Sequence, residues 1–359
     1  MSLFRALVGA ARSARHAPRL AAGLVPDDDV LLDVPDERLA PALVAAALGD
    51  PEPAAKLLAT ARDAAEWEDR DRYVVRLATF AQHRDDWLLQ WLSGSPEDSD
   101  ALLVTTQLAV RRAWGSPARA ELLRDIEPLV RGVAETAPHD PVPWRLALDH
   151  ARGAQAGPAV FESLWEQAVR RSPRHYGCHV AALKYLSAQG HGSRRAAFDF
   201  AERAADDAAP DSLVRALPVH AAHEALRVPP GQDGSAPPAV LDRAADRALA
   251  LSAAFPAGDP WPAGVRNLLA HVLMERGRWT EALEEFGRIG PCATSFPWGS
   301  ARNAAPEDPP PGSRPRPGGE DPLLRFLTAR DRTRCEVARR TPLWTPGRGR
   351  AGRGGPVGH

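Results

Sequence analysis

Lysine is nearly missing from this chain of 359 residues: Lys56 and Lys184 are the only two among 45 lysines and arginines. Basicity carried by arginine, with Ala, Gly and Pro in excess, reads as the codon bias of a GC-rich, actinobacterial genome and not as a phosphate-binding design. Cysteine is scarce too. Cys178, Cys292 and Cys335 are odd in number and far apart, which excludes a disulfide framework and a C-x-x-C centre. A reducing cytoplasm suits such a chain. β-branched residues never alternate over a useful length, so no sheet is expected. No run of 18 apolar residues exists, so no transmembrane segment is expected. The N-terminal stretch carries Arg5, Arg12, Arg15 and Arg19 without an unbroken apolar core, which argues against a secretory signal. A net charge of −1 implies no specific nucleic-acid partner.

Motifs of chemistry are absent as well. There is no G-x-S-x-G, no P-loop and no G-x-G-x-x-G following a strand. In His175-x-x-Cys178-His179 the two histidines stand at i, i+4, with His191 the nearest further ligand. Pro173 places His175 at a helix start, where it reads as a capping residue. In His220-x-x-His223-Glu224 the glutamate lies outside the histidine pair, unlike a zinc-peptidase motif. Asp69/Asp71 and Asp85/Asp86 diverge on a helix and read as solvated faces. No cofactor, no metal and no catalytic residue is expected.

What is present is helix. Val265 to Ile289 shows the plainest pattern. Leu269, Ala270 and Leu273 form one apolar stripe, Gly277 interrupts it, and Ala282, Leu283, Phe286 and Ile289 form another. These are two amphipathic helices joined by a tight turn. The spacing of Ala282 and Phe286, with Ala270, Leu273, Gly277 and Trp279, resembles one tetratricopeptide repeat. A looser unit over 138–173 has Trp144, Ala147, Leu148 and Ala151 on one stripe and Phe161, Leu164, Trp165 and Ala168 on the other. Its longer turn resembles repeats of the half-a-tetratricopeptide type. Prolines at 138, 173 and 210 mark a period of 35 and 37 residues, the spacing of helix-pair solenoids. The stretches Asp140–Trp144 and Ile289–Trp298 also resemble a group of actinobacterial helical proteins, a likeness that implies no activity.

The expected fold is all-α: an irregular α-solenoid of stacked antiparallel helix pairs with a disordered C-terminal tail. Residues 1–33 read as an arginine-rich segment and linker, and 34–137 as N-terminal helical pairs. Residues 138–289 read as the repeat array, 290–320 as a Pro/Gly-rich loop, 321–340 as a capping helix and 341–359 as the tail. Pro128 is expected to kink or split the helix over 117–136, which would divide the array. One long helix is expected over 211–226.

Solenoids of this kind bind a peptide or a partner helix on their concave face. Helical phase puts Arg145, Asp149 and Arg152 on that face in one unit, and Asn267, His271 and Met274 in another. No lysine falls there by phase. The function expected is a cytoplasmic protein-interaction scaffold whose partner is an unspecified protein or peptide. Two alternatives are an enzyme whose site carries no motif, and an accessory nucleic-acid or membrane-surface binder acting through the arginine-rich ends.

Overall fold

The computed structural model describes residues 23–187, 190–227, 236–299 and 321–340. They form sixteen α-helices stacked pairwise. The first six are α1 (Leu39–Ala47), α2 (Glu52–Asp63), α3 (Trp67–Ala81), α4 (Asp86–Gly94), α5 (Ser99–Trp114) and α6 (Arg119–Glu135). Then come α7 (Val142–Gly153), α8 (Pro158–Arg171), α9 (Tyr176–Leu186), α10 (Arg194–Asp207) and α11 (Leu217–Leu226). The last five are α12 (Pro238–Ser252), α13 (Ala263–Glu275), α14 (Trp279–Ile289), the single turn α15 (Ser295–Trp298) and α16 (Pro322–Arg340). Neighbours in sequence are neighbours in space, and α3, α5, α7, α9, α11 and α13 also pack in succession along the inner side. This is the all-α helix-pair architecture the periodicity implies.

Local chemistry sets the ends. Asp98 caps α5 by accepting from Asp100 N and Ala101 N, and Ser193 caps α10 through Ala196 N. Each such cap contributes about 1 kcal/mol. Gly277, with φ +71°, closes α13, and Arg278 N donates back to Leu273 O across the turn. A left-handed residue there falls to glycine because it has no Cβ to clash. Asp140 accepts from Val142 N, so the D-P-x-P-W stretch is a helix start.

Three expectations need correction. Pro128 does not divide α6, which runs unbroken over Arg119–Glu135. Pro128 and Arg124 are both exposed, so the carbonyl the proline leaves without a donor stands on the solvent side. The core also continues past this point, since Val142, Leu146 and Ala147 belong to the same apolar cluster as Leu39 and Tyr73. The helix expected over 211–226 is a 3-10 turn (Leu213–Ala216) capped by Ser212, followed by α11 with Pro218 in its first turn. Lastly, one small sheet exists. β1 (Leu31–Leu32) runs parallel to β2 (Cys292–Ala293) with Leu31 opposite Cys292.

That pairing decides the shape of the inner face. It brings the segment before α1 across to the far end of the array. Asp33 fastens the junction: Ser295 N donates to its Oδ1 at 3.0 Å, the Ser295 hydroxyl bonds its Oδ2, and Arg76 of α3 reaches it at 3.3 Å. α16 covers the seam. Its Phe326 is fully buried, with ring centroids 5.3 Å from Phe286 and 5.7 Å from Trp298. Burying such a ring contributes roughly 1.5–3 kcal/mol. Arg330 of the same helix donates to Val25 O and pairs with Asp27.

Candidate functional site

Closing the array turns the concave face into a partly buried polar interior. Arg145 of α7 is 4% exposed and Asp149 5%. The guanidinium donates to Asp71 of α3 at 2.8 Å and to Asp149 at 3.1 Å, and Arg152 reaches Asp149 at 3.4 Å. Arg152 also lies over the Trp114 ring, 4.4 Å from its centroid. These three residues do face inward, but as a mutually neutralised network and not as an open groove. Beside them lies a cavity of ≈50 Å³ lined by Gln107, Arg111 and Lys184 among others. A lysine therefore does stand on the inner face, where phase alone placed none.

Asn267 and Met274 are corrections. Asn267 is fully buried and Met274 9% exposed. Helix α13 is buried on most of its faces because α11, α12, α14, α15 and β2 surround it. Asn267 donates to Ala263 O and Cys292 O, and accepts from Trp298 Nε1 at 2.8 Å. It is a structural bracket. His271 is half-buried between the rings of His223 and Trp298. Burial pushes its pKa down, and its Nδ1 has no hydrogen-bond partner among the described residues.

A second inward opening, with mixed walls, lies at the closure. A cavity of ≈190 Å³ is bounded by α3 (Glu68, Asp71, Arg72, Arg76), the start of α9 (Tyr176, Gly177) and His220 of α11. The Pro260–Val265 stretch and Asp33, Cys292 and Phe296 of the junction complete it. It shares Glu68, Arg72 and Trp261 with an open cleft that adds Glu66, Trp67 and Asp69. The cleft mouth and the chamber thus meet along these three residues. The closure explains Trp261, whose Pro-flanked position has no helical role: the Arg72 guanidinium lies over its ring at 4.9 Å. Gly264 lines the chamber, and a Cβ there would meet nothing within 4 Å.

The polar groups are positioned by helix ends. Glu68 Oε1 accepts from Tyr176 N at 2.8 Å, bridging α3 to the start of α9, and burial raises its pKa. His175 caps α9: its Nδ1 accepts from Cys178 N, and its Nε2 stands 3.3 Å from Trp67 O. The Tyr176 hydroxyl and His220 Nε2 are hydrogen-bonded at 2.6 Å. Burial, with a smaller push from Lys184, lowers the His220 pKa to about 3, so the ring is neutral. A base that weak orients a hydroxyl without drawing its proton off at neutral pH. The chamber offers shape, aromatic walls and carboxylates. Among the described residues no group of three or more His, Cys, Asp or Glu is placed to hold a metal ion. None of their helices is long and apolar enough to cross a membrane.

Glu68, Tyr176, His220 and Phe296 were beyond the reach of periodicity, because they meet only through the packing of α9 on α3 and α11 and through the β1–β2 junction. Trp261 left one signal, an aromatic between prolines with no core to enter. The arginine-rich start and tail (1–22 and 341–359) and most of the Pro/Gly-rich loop (300–320) lie outside the described residues. Comparison with family models, with curated proteins and with solved structures yields no match to this chain.

Proposed function

We propose that this chain is a protein-interaction scaffold of the tetratricopeptide-like kind, working in the cytoplasm, which holds an extended segment of a partner protein in the cleft between α3, α9 and α13. The observation that carries the reading is the chamber of ≈190 Å³ that shares Glu68, Arg72 and Trp261 with an open cleft. An engineered cavity of ~150 Å³ is known to take a benzene-sized group, so the chamber suits one side chain of an anchored peptide. Helix-pair arrays commonly present such a surface. Two of the three cysteines, Cys178 and Cys292, are buried free thiols, which supports a reducing compartment.

The test is selection of displayed random peptides on the wild-type chain, followed by counter-screening on Gly264→Leu. The leucine fills the chamber from an exposed helical position and should leave the fold intact. Peptides enriched on the wild type and lost on Gly264→Leu are the expected result. Failure to enrich any peptide, or equal binding to both proteins, would overturn the proposal.

A further inference from the structure

The charges around the cleft do not balance, and the imbalance points to a class of occupant. Its mouth holds Glu66, Glu68 and Asp69 between Trp67 and Trp261. The guanidiniums nearby are already engaged. Arg38 pairs with Glu66 at 2.7 Å, Arg72 with Asp36 and Asp69, and Arg76 with Asp33. Glu68 is different. Its hydrogen bond comes from the backbone of Tyr176, and among the described residues no arginine or lysine pairs with it. The imidazole beside it, His175, has its Nδ1 committed as an acceptor to Cys178 N. A half-buried carboxylate beside the chamber therefore has no arginine or lysine partner, and the His175 imidazole is the charged neighbour that eases its burial.

The walls suit the same ligand. An aromatic face attracts a cation, and a carboxylate beside it fixes that cation's direction. The molecule already shows the arrangement with its own side chain. Arg72 lies over Trp261 at 4.9 Å and over Tyr73 at 5.6 Å while bonding Asp69 at 2.8 Å. A second basic group entering beside Glu68 would meet Trp67, Trp261 and Tyr176, with apolar Val75 and Val265 along its stem. Long basic side chains bury their methylenes on such walls and present the charge at the end.

We propose that the cleft recognises an arginine or lysine side chain on an extended segment of a partner protein, with Glu68 as the residue that receives the charge. This rests on reading the cleft as a protein-binding groove. An anionic anchor is disfavoured because it would face the Glu68 carboxylate, which no arginine or lysine pairs, with Glu66 and Asp69 close by.

The experiment is calorimetric titration of the full chain with Ac-Ala-Ala-Arg-Ala-Ala-NH2 and its lysine, citrulline and glutamate counterparts. The arginine and lysine peptides are expected to bind about tenfold or more tighter than the citrulline and glutamate peptides. Glu68→Gln should remove that preference, bringing arginine and lysine binding down to the level of citrulline. Gln keeps an oxygen for Tyr176 N, and an unaltered urea midpoint will show that the fold survives. If citrulline or glutamate binds as tightly as arginine, or if Glu68→Gln changes nothing, the inference fails and the groove reading stands. If none of these peptides binds and random-peptide selection is also empty, both fail. A concentration-dependent dimer that the arginine peptide dissociates would place a second copy of the chain in the cleft and overturn the partner assignment.

Discussion

Replacing Asn267 separates a groove residue from a structural bracket. Asn267 sits at the centre of α13 with its amide spent on the far side of the closure. Its Nδ2 donates to Cys292 O at 3.0 Å and to Ala263 O at 2.8 Å. Its Oδ1 accepts from Trp298 Nε1 at 2.8 Å and from Thr294 N at 3.4 Å. Asn267→Ala removes all of this. Ala263 O loses little, because it retains the helical bond of its own ladder. Trp298 Nε1 and Cys292 O are left buried without partners, and Thr294 N loses a long, weak bond. Orphaned buried polar groups cost about 1–3 kcal/mol each. The expected loss is therefore about 3–5 kcal/mol, a large share of the 5–15 kcal/mol by which domains are ordinarily stable. Asn267→Asp should cost a similar amount, since a carboxylate oxygen would then face the Cys292 carbonyl.

The assay is urea unfolding followed by tryptophan fluorescence, with Trp298 a reporter at the site itself. Both variants should unfold at much lower urea. Hydrogen exchange should rise first in 292–298, the segment the amide holds. A change below about 1 kcal/mol in both variants would refute the bracket, because no buried group could then have lost its only partner. Intact stability combined with lost peptide binding would return Asn267 to the role helical phase assigned it.

The buried Arg70, whose Nε and Nη2 each reach a carboxylate at 2.7 Å, supports a second expectation. Arg70→Met should cost about 3–5 kcal/mol in a urea melt by leaving Asp100 and Asp140 short of a cation, and adding Asp100→Asn and Asp140→Asn should recover much of it. Asp33→Ala should loosen the closure, seen as faster exchange in 31–34 and 292–296 with little change in α5 and α6. Gly264→Leu should leave stability equal or raise it by up to about 1 kcal/mol through helix propensity. For pH, burial holds His220 down to about 3 and His223 down to about 2, against about 6.5 unfolded. The unfolded chain then binds more protons below pH 6.5, so this contribution is complete above that value and falls as the solution is acidified. By pH 4.5 the two should cost about 2–3 kcal/mol each. Glu68 and Glu285, whose pKa values burial raises, act in the opposite sense over part of this range. The measurement is therefore the difference between the wild type and His220→Gln/His223→Gln in urea midpoint at pH 7.5 and 4.5. An equal acid slope in both proteins would count against the assignment.

The helices were legible because their signal is local. Stripes such as Ala282, Phe286 and Ile289, and the glycine at 277, write the α13–α14 hairpin directly into the chain, and all three stripe residues are buried as that pattern requires. α16 was legible for the same reason. Which face is inner was legible only in part. Arg145 and Asp149 turned out to point inward, but phase cannot reveal that Asp71, 74 residues earlier than Arg145, meets them there. The cleft was not legible. It depends on two strands of two residues each, too short to leave an alternation, and on Asp33 bonding Ser295 across 262 positions. The I-G-P…P-W stretch carried that information in plain sight. Its Gly290 has φ +60°, and a Cβ there would lie 3.1 Å from Gly258, so the stretch is shaped for close approach and not for a helix.

Helix packing also explains why so many arginines lie inside. An open solenoid leaves the polar residues of its inner helices in water, where ion pairs contribute little. Here Arg70, Arg145 and Arg266 are buried between packed helices. Each then needs its donors satisfied. Arg70 takes Asp100, Asp140 and Leu58 O; Arg145 takes Asp71 and Asp149. Arg266 is met by four backbone carbonyls, of Ser252, Pro256, Phe255 and Arg288. The fork of a guanidinium serves several partners at fixed angles, which a single ammonium does not. Arginine is therefore a structural requirement at these three positions, whatever bias supplied it elsewhere. Lysine at any of them should lower the urea midpoint markedly, whereas arginine-to-lysine changes at exposed Arg195 or Arg243 should not. Internal pairing also narrows where the chain can meet a partner. With the inner network neutralised, a carboxylate that no arginine or lysine pairs is left at the seam, where Glu68 lines the same cleft as Trp67 and Trp261.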